Sequence, residues 1–177
     1  MTPPAAPSPP TAGKRQLLLV TGLAGAGKST ALAVLEDLGW ETIDNFPVRM
    51  LKRLVTMADE TGAPLAIGFD SRTRGFVPAD IIALVKDLGA RPDLALTSLF
   101  LDCAGGELER RFNETRRRHP MAAGRPVLEG IAAERELLEP LRRWAEVLID
   151  TSSMTSNDLQ TRVRELFAVP EAEAALT

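Results

Sequence analysis

The sequence predicts a three-layer α/β domain: a mainly parallel five-stranded sheet with helices on both faces. Three observations carry this expectation. Short, continuous apolar runs, the first being Leu17-Leu18-Leu19-Val20, alternate along the chain with stretches of helical periodicity. That first run leads straight into Gly22-Leu23-Ala24-Gly25-Ala26-Gly27-Lys28-Ser29, after which Ala31, Leu32, Leu35 and Leu38 recur at helical spacing until Gly39. Two later runs close on carboxylates, Asp70 and Asp102, at strand ends where such sheets place their ligands. Strand, glycine loop and helix in that order open a P-loop NTPase fold, with an expected kinase-like strand order of 2-3-1-4-5.

The loop matches G-x-x-x-x-G-K-[ST] in full, and its chemistry explains its residue types. Gly22, Gly25 and Gly27 permit backbone angles and close approaches that a Cβ would obstruct, so several N–H groups can converge on a β-phosphate at a helix N-terminus. Lys28 adds a mobile positive charge for the β- and γ-phosphates, the Ser29 hydroxyl is placed to ligate Mg²⁺, and Thr30 falls near the α-phosphate. Leu23, Ala24 and Ala26 complete the cradle.

The remaining elements follow in order. Met1 to Gln16, with five prolines among Ala, Ser and Thr, reads as a disordered, hydrated tail. The domain is expected over 17–169. Trp40 to Asp44 forms a second strand, and Asn45-Phe46-Pro47 turns into a helix with stripe Leu51, Leu54, Val55 and Ala58, closed by Gly62. Leu65 to Asp70 is the third strand, followed by the polar loop Ser71-Arg72-Thr73-Arg74 and a helix from Pro78 to Gly89. Leu96 to Asp102 is the fourth strand, and a helix from Glu107 runs into Arg116-Arg117-Arg118-His119-Pro120. After a loop, Leu128, Ile131, Leu138 and Leu141 mark a longer helix, expected to be interrupted or kinked at Pro140. Val147 to Asp150 is the fifth strand, and Thr155 with Asp158 resembles a capping box for the last helix.

Composition narrows the function classes. Charged content of 25% and apolar content of 45% in 177 residues suit one globular domain. A net charge of −3 argues against a protein built chiefly to bind nucleic acid, without excluding RNA as a partner. The single cysteine, Cys103, rules out an intramolecular disulfide and a Cys-rich zinc site, and reads as a buried apolar residue. No apolar run is long enough to span a bilayer, and no signal peptide is legible, so the expected location is cytoplasmic.

A phosphotransferase or nucleotide hydrolase needs, besides the cradle, a carboxylate for Mg²⁺ and positive charge for the transition state. The strands ending in Asp70 and Asp102 flank the P-loop strand in the expected order, and either carboxylate suits the metal. Asp70 is preferred, because Arg72 and Arg74 just beyond it supply charge directed at phosphates. Asp102-Cys103-Ala104-Gly105 matches D-x-x-G, but the match is short, and no guanine-reading Asn/Thr-Lys-x-Asp motif accompanies it. Arg110, Arg111, Arg116, Arg117, Arg118 and Arg125 fall where P-loop kinases carry a lid, with Arg116 and Arg117 the candidates for catalysis. His119 reads as a capping or surface residue.

Taken together with the loop, Leu35 to Gly39, Asp44-Asn45-Phe46-Pro47, Asp70-Ser71-Arg72, Leu101-Asp102, Thr115 to Pro120, Leu137 to Leu141 and Ile149 to Ser152 make the chain resemble the bacterial RapZ/YvcJ family over residues 16 to 170. The resemblance implies an ATP site at Gly22 to Ser29, a GTP-binding stretch at Asp70, Ser71, Arg72 and Thr73, and hydrolysis of ATP and GTP. It also implies an RNase-adapter role, with small-RNA delivery and amino-sugar phosphate sensing residing largely in a second, C-terminal domain. The chain departs from the family in its proline-rich tail and in ending at Thr177, so 170–177 reads as a linker toward that missing domain. RNA or an RNase would be a partner only through the full-length protein, and homo-oligomerisation stays open. The expected function is a nucleotide-binding regulatory domain with slow triphosphatase activity. A small-molecule or nucleotide kinase is the alternative, and a nucleotide-dependent scaffold without turnover a third reading.

Overall fold

The computed structural model describes residues 13–57 and 62–169. Five parallel strands form one sheet in the order β2-β3-β1-β4-β5, as the sequence predicts. The strands are β1 (Arg15–Gly22), β2 (Glu41–Asp44), β3 (Leu65–Gly68), β4 (Leu94–Asp102) and β5 (Val147–Asp150). Two of the three inner strands exceed their apolar runs, β1 starting at Arg15 and β4 at Leu94, because the two pair in register from Arg15↔Leu94 to Gly22↔Leu101. Arg15 and Gln16 thus belong to the sheet rather than to the tail.

The helices are α1 (Lys28–Asp37), α2 (Leu51–Thr56), α3 (Pro78–Gly89), α4 (Gly105–Thr115), α5 (Val127–Trp144) and α6 (Ser156–Phe167), with a 3₁₀ turn at Val48–Met50. Right-handed crossovers fix the layers: the step from β1 outward to β2 puts α1 on one face, and the steps back across the sheet put α2 to α5 on the other. The core lies between, with Leu18, Leu99, Leu101, Leu108 and Leu138 fully buried and Cys103 among them. With both faces covered, the inner strands need apolar residues at successive positions, which is why they read as runs rather than alternations. Across the corner, Trp40 donates Nε1–H to Phe167 O at 3.1 Å and meets the Phe167 ring edge-on, tying the end of α6 beside α1.

Besides the longer β1 and β4, β2 starts at Glu41 rather than Trp40, β3 ends at Gly68 rather than Asp70, and three helices differ from expectation. Met57 is already extended (φ −64°, ψ 133°), so α2 ends at Thr56, whose hydroxyl bonds back to Lys52 O; Ala58 lies outside the described residues. α5 runs through Pro140 uninterrupted, because Glu136, whose carbonyl loses its donor, is exposed and can turn to water. α4 begins at Gly105, ahead of Glu107. The proline tail up to residue 12 and the stretch from Pro170 also lie outside the described residues. Among the described residues, no helix is long and apolar enough to cross a membrane.

The capping box forms as read: Thr155 Oγ1 accepts the Asp158 N–H at 3.1 Å and Asp158 Oδ2 accepts the Thr155 N–H at 2.8 Å. Thr155→Ala is expected to cost about 1 kcal/mol. Urea unfolding should show this as a lower midpoint with an unchanged slope.

Candidate functional site

The loop between β1 and α1 sits at the carboxyl edge of the sheet, between the ends of β3 and β4. Some of its amides are consumed by the fold: Leu23 N–H bonds Leu101 O at 3.1 Å, Ala26 N–H bonds Leu23 O at 3.0 Å, and Ala24 N–H bonds Glu134 Oε1 at 2.6 Å. Lys28, Ser29 and Thr30, whose first-turn amides have no partner inside their helix, line a cleft of about 370 Å³. Gly27 turns the chain into the helix at φ 117°, a left-handed conformation that favours glycine. A backbone nest at a helix N-terminus beside a lysine is an anion site.

Lys28 Nζ donates to Asp44 Oδ1 at 2.7 Å and to Asp70 Oδ2 at 3.0 Å. Asp70 is buried, and burial alone would raise its pKa. Hydrogen bonds from the Arg72 guanidinium and amide, with Lys28 close by, overcome this and hold the carboxyl at about 2. Because that value lies below the ordinary 3.8, the stability it represents, about 2 kcal/mol, is complete above pH ~4 and is lost as pH falls through 2. Acid unfolding of Asp70→Asn should therefore be flatter between pH ~4 and 2 than that of the parent. Glu107, held at about 2 by Arg110 and Arg111, titrates alike in both proteins.

The loop after β3 is braced from β2. Thr73 Oγ1 accepts the Asp70 N–H at 3.0 Å and donates to Asn45 Oδ1 at 2.8 Å, and Asn45 is itself left-handed at φ 60°. Asp70 and Arg72 line the cleft, whereas Thr73 is buried with these bonds directed inward, and Ser71 turns to Glu134, its hydroxyl donating to Oε2 at 3.0 Å.

The other strand end does different work. Asp102 accepts Arg135 Nη1–H and Arg142 Nε–H, both at 3.0 Å, which pins α5 to the end of β4 rather than facing Lys28. From the basic run, Arg117 and Arg118 line the cleft. Arg116, the other candidate for catalysis, caps α4 in a left-handed conformation (φ 52°), exposed and outside the cleft lining. Arg111 is engaged as a clamp, reaching Gly25 O at 3.0 Å, Thr151 O at 2.7 Å and Glu107 Oε1 at 3.0 Å. Thr151 Oγ1 donates to Ala26 O at 2.7 Å, so the β5–α6 loop holds the back of the glycine loop. A second cleft of about 350 Å³, lined by Thr151 and Thr155 among others, shares Gly25, Gly27, Thr30 and Arg111 with the first.

His119 is buried rather than on the surface. Its Nδ1 accepts the Met121 N–H at 3.1 Å, capping the turn, while its Nε2 lies 3.5 Å from Glu134 Oε1. Among the described residues, no cluster of three or more His, Cys, Asp or Glu could hold a metal ion. One serine, one carboxylate and substrate phosphates suit the sparse protein ligation of Mg²⁺.

The model of the RapZ-like N-terminal domain matches residues 15–171. The chain belongs to this family. The RapZ-like domain is 64% identical over 157 residues to a nucleotide-binding protein of Erythrobacter litoralis, covering 88% of this chain and 52% of the relative. A nucleotide-binding protein of Novosphingobium aromaticivorans is also 64% identical, over 158 residues, covering 86% of this chain and 52% of its own length. The chain thus spans about half the length of these curated relatives. Among solved structures, the RapZ-like fold superposes on shikimate kinase from Bacteroides thetaiotaomicron with a TM-score of 0.57 at 18% identity, covering 85% of this chain and 97% of that one.

Sequence reasoning missed Glu134, Asn45, Thr151 and the clamping use of Arg111. For Glu134 a signal existed: it stands three residues after Ile131 and four before Leu138, on the apolar stripe of α5, where an acidic residue needs partners.

Proposed function

We infer that this domain binds a nucleoside triphosphate with Mg²⁺, hydrolyses it slowly, and acts as the regulatory unit of a longer cytoplasmic RapZ-like protein. The observation that carries the reading is that the helix-start residues Lys28, Ser29 and Thr30 line one cleft with Asp70, to which the Lys28 ammonium donates. In this reading the amides of Gly25 and of Gly27 to Thr30, with the Lys28 ammonium, take the β- and γ-phosphates, while Ser29 and Asp70 would hold Mg²⁺, which would neutralise phosphate charge. Arg117 supplies charge at the γ-phosphate, and Arg72 faces the same cleft. The nucleoside extends past Thr30 into the second cleft. ATP and GTP are both taken as substrates, following the family resemblance. RNA or an RNase would meet the full-length protein, with nucleotide state as the signal.

Phosphate release from Mg-ATP and Mg-GTP, with and without a panel of small alcohol acceptors, tests the reading. Slow release of inorganic phosphate, indifferent to acceptors, is expected. Strong stimulation by one acceptor, with label moving onto it, would establish a kinase instead.

A further inference from the structure

A carboxylate with no exposure lies at the heart of the domain, and hydrolysis has no evident use for it. Glu134 projects from α5 toward the cleft wall, and both its oxygens act as acceptors: Oε1 takes the Ala24 N–H at 2.6 Å and Oε2 takes the Ser71 hydroxyl at 3.0 Å. The third group facing it is the equally buried His119, whose Nε2 stands 3.5 Å from Oε1 and has no hydrogen-bond partner among the described residues. His119 Nδ1 already accepts the Met121 N–H, which leaves the ring proton to Nε2, beside the carboxylate but without a hydrogen bond to it. A hydroxyl within hydrogen-bond reach of a carboxylate that other groups hold in place is the arrangement of an activated nucleophile.

Ser71 stands at the border of the phosphate cleft with its hydroxyl turned to Glu134, and a rotation about χ1 would bring that hydroxyl to a phosphoryl group in the cleft. It lies between Asp70 and Arg72, which both line the phosphate cleft, and shares Glu134 with Ala24 of the glycine loop. We propose that Ser71 is an internal phosphoryl acceptor, modified in cis by the nucleoside triphosphate bound at the loop, with Glu134 as its base. This rests on the nucleotide reading above. In the step, Ser71 Oγ bonds to the γ-phosphorus as the bond from that phosphorus to the β–γ bridging oxygen breaks. The bridging oxygen leaves with the electron pair on the nucleoside diphosphate. The hydroxyl proton passes to Glu134 Oε2, whose later release of it to water restores the carboxylate. No further reactant is required. Phosphorylation would put a dianion against the Glu134 carboxylate, so the contact between the loop after β3 and α5 would have to open. The modification would therefore record nucleotide occupancy in the shape of the cleft wall.

Incubation of the chain with γ-³²P-labelled ATP and Mg²⁺, quenched in acid, reads protein-bound and free phosphate from the same samples. A serine phosphate monoester survives the quench, so protein-bound label should accumulate toward one per chain and map to Ser71 by tandem mass spectrometry. Ser71→Ala should carry none, and Ser71→Thr should yield phosphothreonine instead of phosphoserine. Glu134→Gln should slow labelling by about a hundredfold or more. Should Glu134→Gln fail to fold, the serine-to-threonine exchange of the phosphoamino acid still decides. Free phosphate or bound nucleotide with an unlabelled chain would overturn the proposal while leaving the nucleotide reading intact, as would label that persists in Ser71→Ala. Absence of nucleotide binding, release and label together would sink both.

Discussion

Lys28→Ala is expected to lower phosphate release from Mg-ATP and Mg-GTP by at least about a hundredfold, the scale of removing one preorganised charge or donor from a transition state. Lys28 is the lysine that lines the cleft, and no other side chain there offers a point charge on a flexible stem that can follow a migrating phosphoryl group. Lys28→Arg should restore little, since a planar guanidinium cannot occupy the place of an ammonium packed between Asp44 and Asp70. The loss should be specific to function. Asp70 keeps Arg72 at 3.0 Å and Asp44 is half-exposed, so neither carboxylate is stranded when the lysine goes, and the melting temperature should move by only a few degrees. Release at the parent rate in Lys28→Ala would mean that the phosphates bind elsewhere.

The largest expected effect on stability comes from Gly22→Ala. A Cβ on Gly22 would stand 2.4 Å from Leu101 O and 2.9 Å from Leu101 N, both backbone atoms of the neighbouring strand. A side chain could rotate away, but here the ladder itself must shift, and with it the Leu23 N–H bond to Leu101 O that starts the glycine loop. An overpacking cost of about 3 kcal/mol is expected, or a fall in melting temperature of roughly 6–12 °C. Calorimetry would measure it. A variant as stable as the parent would show that the β1 and β4 ends separate readily.

Both predictions concern residues that were legible in the chain, and the reason is locality. The glycine loop, the runs before it and the helix after it are adjacent in sequence, and their spacing alone carries their geometry. The strand order comes with the kinase-like P-loop fold that the glycine loop opens. What escaped was made by distance along the chain. Glu134 meets Ala24 across 110 positions and Ser71 across 63, and Arg111 meets Thr151 across 40. Composition reads the basic run as a lid, yet the fold separates its members. Arg111 lines the cleft but is engaged by Gly25, Thr151 and Glu107, Arg116 caps a helix outside the lining, and Arg117 and Arg118 line the cleft. The role of Asp102 was likewise hidden, because it depends on Arg135 and Arg142 of α5, 33 and 40 positions along the chain from it.

The pairing of Lys28 with Asp44 and Asp70 gives the cleft a further property. The lysine already carries two internal counter-ions, so the pocket is not a bare trap for anions, and an entering phosphate must exchange for carboxylates rather than add to an unbalanced charge. Simple oxyanions such as sulfate bring nothing to offset the severed pairs. A triphosphate arriving with its divalent cation does, since the cation gives a carboxylate a new partner as the lysine transfers to the phosphates. If the site takes the magnesium nucleotide as proposed, it would work as an ion exchanger, favouring an anion and a cation delivered together.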